Sequence, residues 1–146
     1  MNLAQYAGQI GRLPYPDLCG HGWRYFEERG CFLDCRGPLV IDATSVWGFR
    51  VEVYTRSHNI DGGEVGETVD YPVTVEAGAW IGSHAILAGC KIGAGAIVAA
   101  GSVVRGQTVA PRVMVAGNPA RVIARWDGKR WVYLAASKCG YERDLA

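Results

Sequence analysis

Apolar side chains recur along this chain at a spacing of six: Ile41, Trp47 and Val53, then Val75 and Ile81, then Ile86, Ile92, Val98 and Val104. Four places after each lead stands a side chain no larger than valine: Ser45, Val51, Ser57, Ala79, Ala85, Cys90, Ala96, Ser102 and Thr108. A helix would repeat near 3.6 residues and a strand near 2. A period of six with two inward positions fits neither. It is the pattern of a hexapeptide β-helix: a triangular prism of short parallel strands, three hexads to a coil. The lead fills the axis and the small residue fits beside a corner. Such prisms wind left-handed, against the usual right-handed crossover rule. The 20 glycines among 146 residues, about double the ordinary ~7%, then serve as corner formers.

Two irregularities interrupt the count. The step from Ile81 to Ile86 is five, and Val53 to Val75 spans 22 residues, which six does not divide. The longer gap holds SHNIDGGEVGETVDYP, poor in core residues, and reads as a loop over 59–71 thrown out of the prism wall. Loops on rigid scaffolds tend to carry chemistry. Residues 1–38 are irregular and aromatic, as a cap on the first coil would be. The β-helix domain then runs over 39–125. Residues 126–146 form an extension in which RWDGKRWVYL reads as a hairpin about Asp127-Gly128, followed by a tail. Its tryptophans suit cap packing.

Composition narrows the class. A net charge of +1 supplies no broad basic field for nucleic acid. The longest uncharged apolar stretch, Ile92 to Val104, covers 13 residues, against ~20 for a membrane span. The N-terminus lacks the charged and apolar regions of a signal peptide. Five cysteines, an odd set without a framework spacing, suggest reduced thiols in a cytoplasm.

Three histidines are candidates for chemistry. His58 follows Ser57 and so points outward at the root of the extruded loop. His84 stands at a corner in GSHA, where a solvent or subunit contact is expected, and His21 lies in the irregular N-terminal segment. Cys19, His21, Cys31 and Cys35 offer zinc-ligating atoms, but C-x-H…C-x3-C is not a finger or ribbon spacing. Cys90 occupies a small-residue position and reads as core filling. Three-histidine carbonic anhydrases are also hexapeptide prisms, yet this repeat region has no His-x4-His pair, and no metal is expected. Nucleotide-loop, nucleophile-elbow and zincin motifs are lacking. Asn118-Pro119 marks a turn leaving the prism, with Arg121 and Arg125 behind it as rim charges able to meet phosphates.

The segments VEVYTRSHNI, YPVTVEAGAWIGSHAILAGCKIGAGAIVAAGSVV and VAGNPARVI, in that order over residues 39–125, resemble the hexapeptide acyltransferases, specifically the maltose, galactoside and nodulation-factor O-acetyltransferase group. The resemblance implies a left-handed parallel β-helix, a homotrimer, and acetyl-CoA as co-substrate in a cleft between subunits. It places the catalytic histidine on His58 and an acidic neighbour on Glu67. Beside the pantetheine arm it places Trp80, Gly82 and Ser83, with backbone amides from Ala100 and Gly101. It places Arg121 at the CoA phosphates, with Asn118 in the same turn. Where the family has Thr-Lys after the last hexad, this chain has Arg105-Gly106, which alters contacts at the adenosine end. The short, cysteine-bearing N-terminal segment and the C-terminal extension also depart from the family, so the acceptor does not carry over.

The implied chemistry is coherent. Acetyl transfer to a hydroxyl needs a base for the O–H proton and donors for the oxyanion. Imidazole can exchange protons near neutrality, and glycine-rich corners expose N–H groups. The leading expectation is an acetyl-CoA-dependent O-acetyltransferase acting on a carbohydrate. An antibiotic hydroxyl or an amino-sugar nitrogen as acceptor, a carbonic-anhydrase-like metal protein and a non-catalytic module stay open as alternatives.

Overall fold

In a computed structural model, residues 22–134 are described here. The chain winds four coils of a triangular prism. The first holds β1 (Phe32–Leu33), β2 (Leu39–Ile41) and β3 (Val46–Trp47). The second holds β4 (Glu52–Tyr54), a hairpin of β5 (Arg56–His58) and β6 (Thr68–Asp70), then β7 (Val73–Val75) and β8 (Trp80–Ile81). The third is β9 (Ile86–Ala88), β10 (Lys91–Ile92) and β11 (Ile97–Val98), and the fourth β12 (Val103–Arg105), β13 (Thr108–Val109) and β14 (Val113–Gly117). Two antiparallel strands, β15 (Ala120–Trp126) and β16 (Trp131–Tyr133), follow. Corresponding strands stack in parallel as three faces, β1-β4-β9-β12, β2-β7-β10-β13 and β3-β8-β11-β14, and the last is widened by β15 and β16. We term these the first, second and third faces.

The fold is the left-handed all-β prism that the repeat implies, but its count differs in one respect. The leads on the first face are Leu33, Val53, Leu87 and Val104, paired in register. Ile86, taken as a lead from the spacing, is an outward position; Leu87 is fully buried beside it. The step Ile81 to Leu87 is therefore a full six, and the short step falls between Leu87 and Ile92. It recurs between Val104 and Val109, whose pairing with Ile92 sets a repeat of 17 residues rather than 18. In the third and fourth coils the shortening is at the edge between the first and second faces, where Gly89 and Gly106 turn the chain with positive φ. Removing that offset also relocates two of the small positions. Ser57 lies in the hairpin and Thr108 is exposed on β13; Val73 and Cys90 are the buried ones on the second face.

The 22-residue gap resolves in the same arithmetic, as a five-residue step with 17 residues inserted. Those residues form the β5–β6 hairpin, with Arg56 opposite Asp70, Ser57 opposite Val69 and His58 opposite Thr68. The extruded element thus starts at Arg56, three residues before the expected loop, and His58 lies on its arm.

Both ends of the prism are closed. The first rung, β1, lies upstream of residue 39 and pairs with β4. Ahead of it helix α1 (Gly22–Glu28) presses Phe26, 1% exposed, edge-on against Trp47 at 5.1 Å. The Tyr25 hydroxyl accepts the Trp47 amide hydrogen at 3.0 Å, and the Trp47 indole donates to Ser45 Oγ at 2.9 Å. Under the helix, the end coil takes an indole on the axis where deeper coils of the same face take Ile81 and Val98. At the other end, β15 and β16 turn about Asp127-Gly128, as the sequence reading has it, and Trp126 packs on Trp131 at 5.7 Å. The Asp127 carboxylate accepts the Lys129 and Arg130 amides.

Candidate functional site

Of the sequence-selected residues, Trp80, Gly82, Ser83, Ala100 and Gly101 come together on the edge between the third and first faces. Trp80 is outward on β8, 52% exposed, in register with Val46 and Ile97, so its indole lies on an apolar strip. Past Trp80 the chain turns. The Gly82 amide donates to the Val98 carbonyl at 2.7 Å and the Gly101 amide to the Ser83 carbonyl at 2.9 Å. Ser83 Oγ accepts the Phe49 amide at 3.0 Å, tying the corner to the coil below. A β-carbon on Gly82 would lie 2.5 Å from the Ala100 nitrogen, so only glycine lets these corners stack so closely. Ala100 and Gly101 are exposed, and among the described residues the Ala100 amide makes no hydrogen bond. One rung on, the Gly117 amide donates to Ser102 Oγ at 3.3 Å. This brings the Asn118-Pro119 turn and the exposed Arg121 to the same end of the edge.

His58, Glu67 and Arg105 stand elsewhere, at the edge between the first and second faces. The Tyr71 amide donates to the Thr55 carbonyl at 2.7 Å and closes the neck of the hairpin there; Arg105 ends β12 beside Gly106 on the same edge. Six residues of extended chain separate the two edges, roughly 20 Å at ~3.3 Å per residue. A shallow groove of about 280 Å³, lined by Pro72, Gly89, Lys91 and Gly106 among others, follows the hairpin edge.

The hairpin orients the imidazole. His58 is exposed, and its Nδ1 lies 3.0 Å from the Gly66 carbonyl oxygen. A carbonyl only accepts, so Nδ1 carries the proton and the neutral ring presents Nε2 as a lone pair. The Gly66 amide in turn donates to the Asn59 carbonyl at 2.7 Å, and the Asn59 amide to the Glu67 carbonyl at 2.8 Å. The ring is thus held by the Gly66 backbone and not by the Glu67 carboxylate. Gly66 escaped the sequence reading because a main-chain carbonyl leaves no mark in residue type. Phe49, 60% exposed at the Ser83 corner, escaped it for lying between hexad positions.

His84 is exposed on the Ser83 corner with φ 60°. Cys19 and His21 lie outside the described residues. Cys31 and Cys35 are buried, with Sγ 3.5 Å from the Gly48 and Leu33 carbonyls respectively. Burial pushes the Cys90 thiol up to about 12, which makes it inert filler. Among the described residues no group of three or more His, Cys, Asp or Glu side chains is placed to hold a metal ion. No helix among them is long and apolar enough to cross a membrane.

Known proteins share this architecture. Residues 72–106 match the bacterial transferase hexapeptide (six repeats) model, so the resemblance to hexapeptide transferases holds. A Dictyostelium discoideum protein named as an acetyltransferase is 40% identical over 105 residues, covering 70% of this chain and 55% of its own. A maltose O-acetyltransferase structure from Clostridium difficile 630 superposes with TM-score 0.55 at 32% identity, over 64% of this chain and 51% of that one. A hexapeptide-repeat acetyltransferase of Vibrio cholerae O1 biovar eltor, complexed with acetyl coenzyme A, superposes with TM-score 0.52 at 33% identity, over 64% and 52%. The chain spans about half the length of these relatives.

Proposed function

We propose that this hexapeptide-repeat β-helix is an acetyl-CoA-dependent O-acetyltransferase whose acceptor is a carbohydrate hydroxyl. The observation that carries the reading is His58: an exposed imidazole with Nδ1 tied to a backbone carbonyl and Nε2 left for a proton. In the proposed step Nε2 takes the proton of the acceptor hydroxyl as its oxygen bonds to the thioester carbonyl carbon. The charge that develops on the carbonyl oxygen is met by N–H donors of the glycine corner, among them the Ala100 amide, which has no internal partner among the described residues. Collapse breaks the carbon–sulfur bond, and the imidazolium returns its proton to the leaving sulfur. The Gly66 carbonyl holds the tautomer throughout and stabilises the imidazolium, a role a carbonyl dipole can fill without Glu67. Trp80 and Ser83 would flank the pantetheine arm and Asn118 and Arg121 the nucleotide end, with Arg105 reaching it from the hairpin edge of the other chain, since guanidinium groups suit phosphate.

The separation of the two edges supports assembly. A base on one edge and a donor channel on another meet when prisms pack side by side, so the site belongs to two chains, and a homotrimer closes the arrangement. The buried thiols of Cys31 and Cys90 favour a reducing, cytoplasmic setting.

The test is release of CoA thiol from acetyl-CoA against a panel of sugars. The expected result is acceptor-dependent thiol release, with His58→Ala lowering turnover ~10²–10⁴-fold and leaving acetyl-CoA binding intact by calorimetry. Near-wild-type turnover in His58→Ala would overturn the assignment of the base; no acetyl-CoA binding by the wild type would overturn the transferase.

A further inference from the structure

Among the described residues the prism buries one charge, and the repeat does not need it. Asp34 is 1% exposed, in a core otherwise made of apolar residues and the hydroxyls of Ser45, Thr55 and Ser102. Burying a carboxylate is costly unless it is paired and fully hydrogen-bonded, and this one is. Its Oδ1 accepts the Arg36 amide at 3.2 Å and Arg36 Nε at 2.7 Å, while Oδ2 accepts the second guanidinium nitrogen at 3.1 Å. Oδ2 also accepts the Thr55 amide at 3.3 Å. The main chain of the same residue accepts Thr55 Oγ1 at 2.6 Å, and that hydroxyl accepts the Gly37 amide at 2.9 Å. Gly37 approaches so closely that a β-carbon there would lie 2.3 Å from the Thr55 carbonyl oxygen.

Three of these bonds meet at Thr55, the residue whose carbonyl receives the Tyr71 amide and closes the hairpin neck, while the Arg36 bonds fix the carboxylate that reaches it. His58 is three residues further along the same arm. We propose that the Asp34–Gly37 segment is a brace, and that Asp34 and Thr55 are positioning residues: through the neck they fix the direction in which the hairpin presents His58. Neither side chain reaches the imidazole, so neither is catalytic. The geometry favours this over simple core filling, because the network is spent on the one rung from which the hairpin departs. The equivalent edge rungs at Leu87–Ile92 and Val104–Val109 turn with glycine and have no buried carboxylate among the described residues. The inference rests on His58 being the base.

Thr55→Val keeps shape and removes both hydroxyl bonds, whereas Thr55→Ser keeps them. With acetyl-CoA and the acceptor found in the sugar panel, the expected result for Thr55→Val is a kcat lower by about 10–100-fold, the range a misplaced group can cost. Its affinity for acetyl-CoA and its chain mass in solution should match wild type, and Thr55→Ser should restore kcat. Hydrogen exchange of the Tyr71 and Asn59 amides should quicken in Thr55→Val and not in Thr55→Ser. Unchanged kcat in a folded Thr55→Val, or loss of acetyl-CoA binding in step with kcat, would overturn the brace. The exchange readout does not depend on catalysis. If exchange quickens as expected while His58→Ala stays active, the neck is braced but the base is misassigned, and the two failures separate.

Discussion

At the scale of single residues, Asp34 and Gly82 show what a six-residue pattern conveys and what it does not. Gly82 was legible: it follows a lead, and the structure finds no room for a β-carbon against Ala100. Asp34 was not. It belongs to the irregular stretch before the repeat, and its partner Thr55 lies beside it only because one coil of the prism separates them. Its ionisation makes a prediction. Burial pushes the Asp34 carboxyl up, but the Arg36 side chain and amide and the Thr55 amide outweigh it and hold the group below the usual carboxylate range. A group lowered in the folded state stabilises above its unfolded value and loses that contribution as pH falls through the folded one. Acid titration of the wild type should therefore show a loss of thermal stability below the ordinary Asp range that Asp34→Asn lacks. Asp34→Asn should itself be less stable at neutral pH. Identical acid profiles for the two proteins would contradict the ion pair.

At the scale of elements, the repeat was readable because its inward positions recur, and it was misread by one place where the repeat itself shortens. Ile86 and Leu87 are adjacent aliphatics, and composition cannot choose between them; parallel pairing with Val53 and Val104 does. The contrast is measurable. Leu87→Ala removes a fully buried side chain and should cost about 2–5 kcal/mol of unfolding free energy. Ile86→Ala, on the outward side of the same strand, should cost clearly less, as read by denaturant unfolding. Equal losses would contradict the register. The hairpin was legible as an excursion, because glycine and acid replace core residues there, but its strands were not. Arg56–His58 and Thr68–Asp70 are exposed or half-buried, so no alternation marks them, and pairing across the excursion defines them instead. The bond from Nδ1 to Gly66 follows from that pairing.

At the scale of the whole molecule, the sequence placed every candidate residue in one row of motifs, and folding sends them to two edges. Trp80, Gly82, Ser83, Ala100 and Gly101 share one corner; His58 and Glu67 share another. That division was invisible in the motif order, since which corner a residue occupies depends on the length of each step around the prism. It makes a shared site the central claim of this account, and mixing two inactive chains tests it most directly. His58→Ala lacks the proposed base. Ala100→Trp blocks the proposed donor corner at an exposed position without entering the core. Each alone should be inactive. When the two are unfolded, mixed in equal amounts and refolded together, half the bases and half the corners are intact, and a base meets a corner of another chain. The account predicts recovery of about a quarter of wild-type thiol release, the product of the two probabilities. Release no greater than that of the separate variants, from mixed assemblies shown to contain both chains, would contradict it.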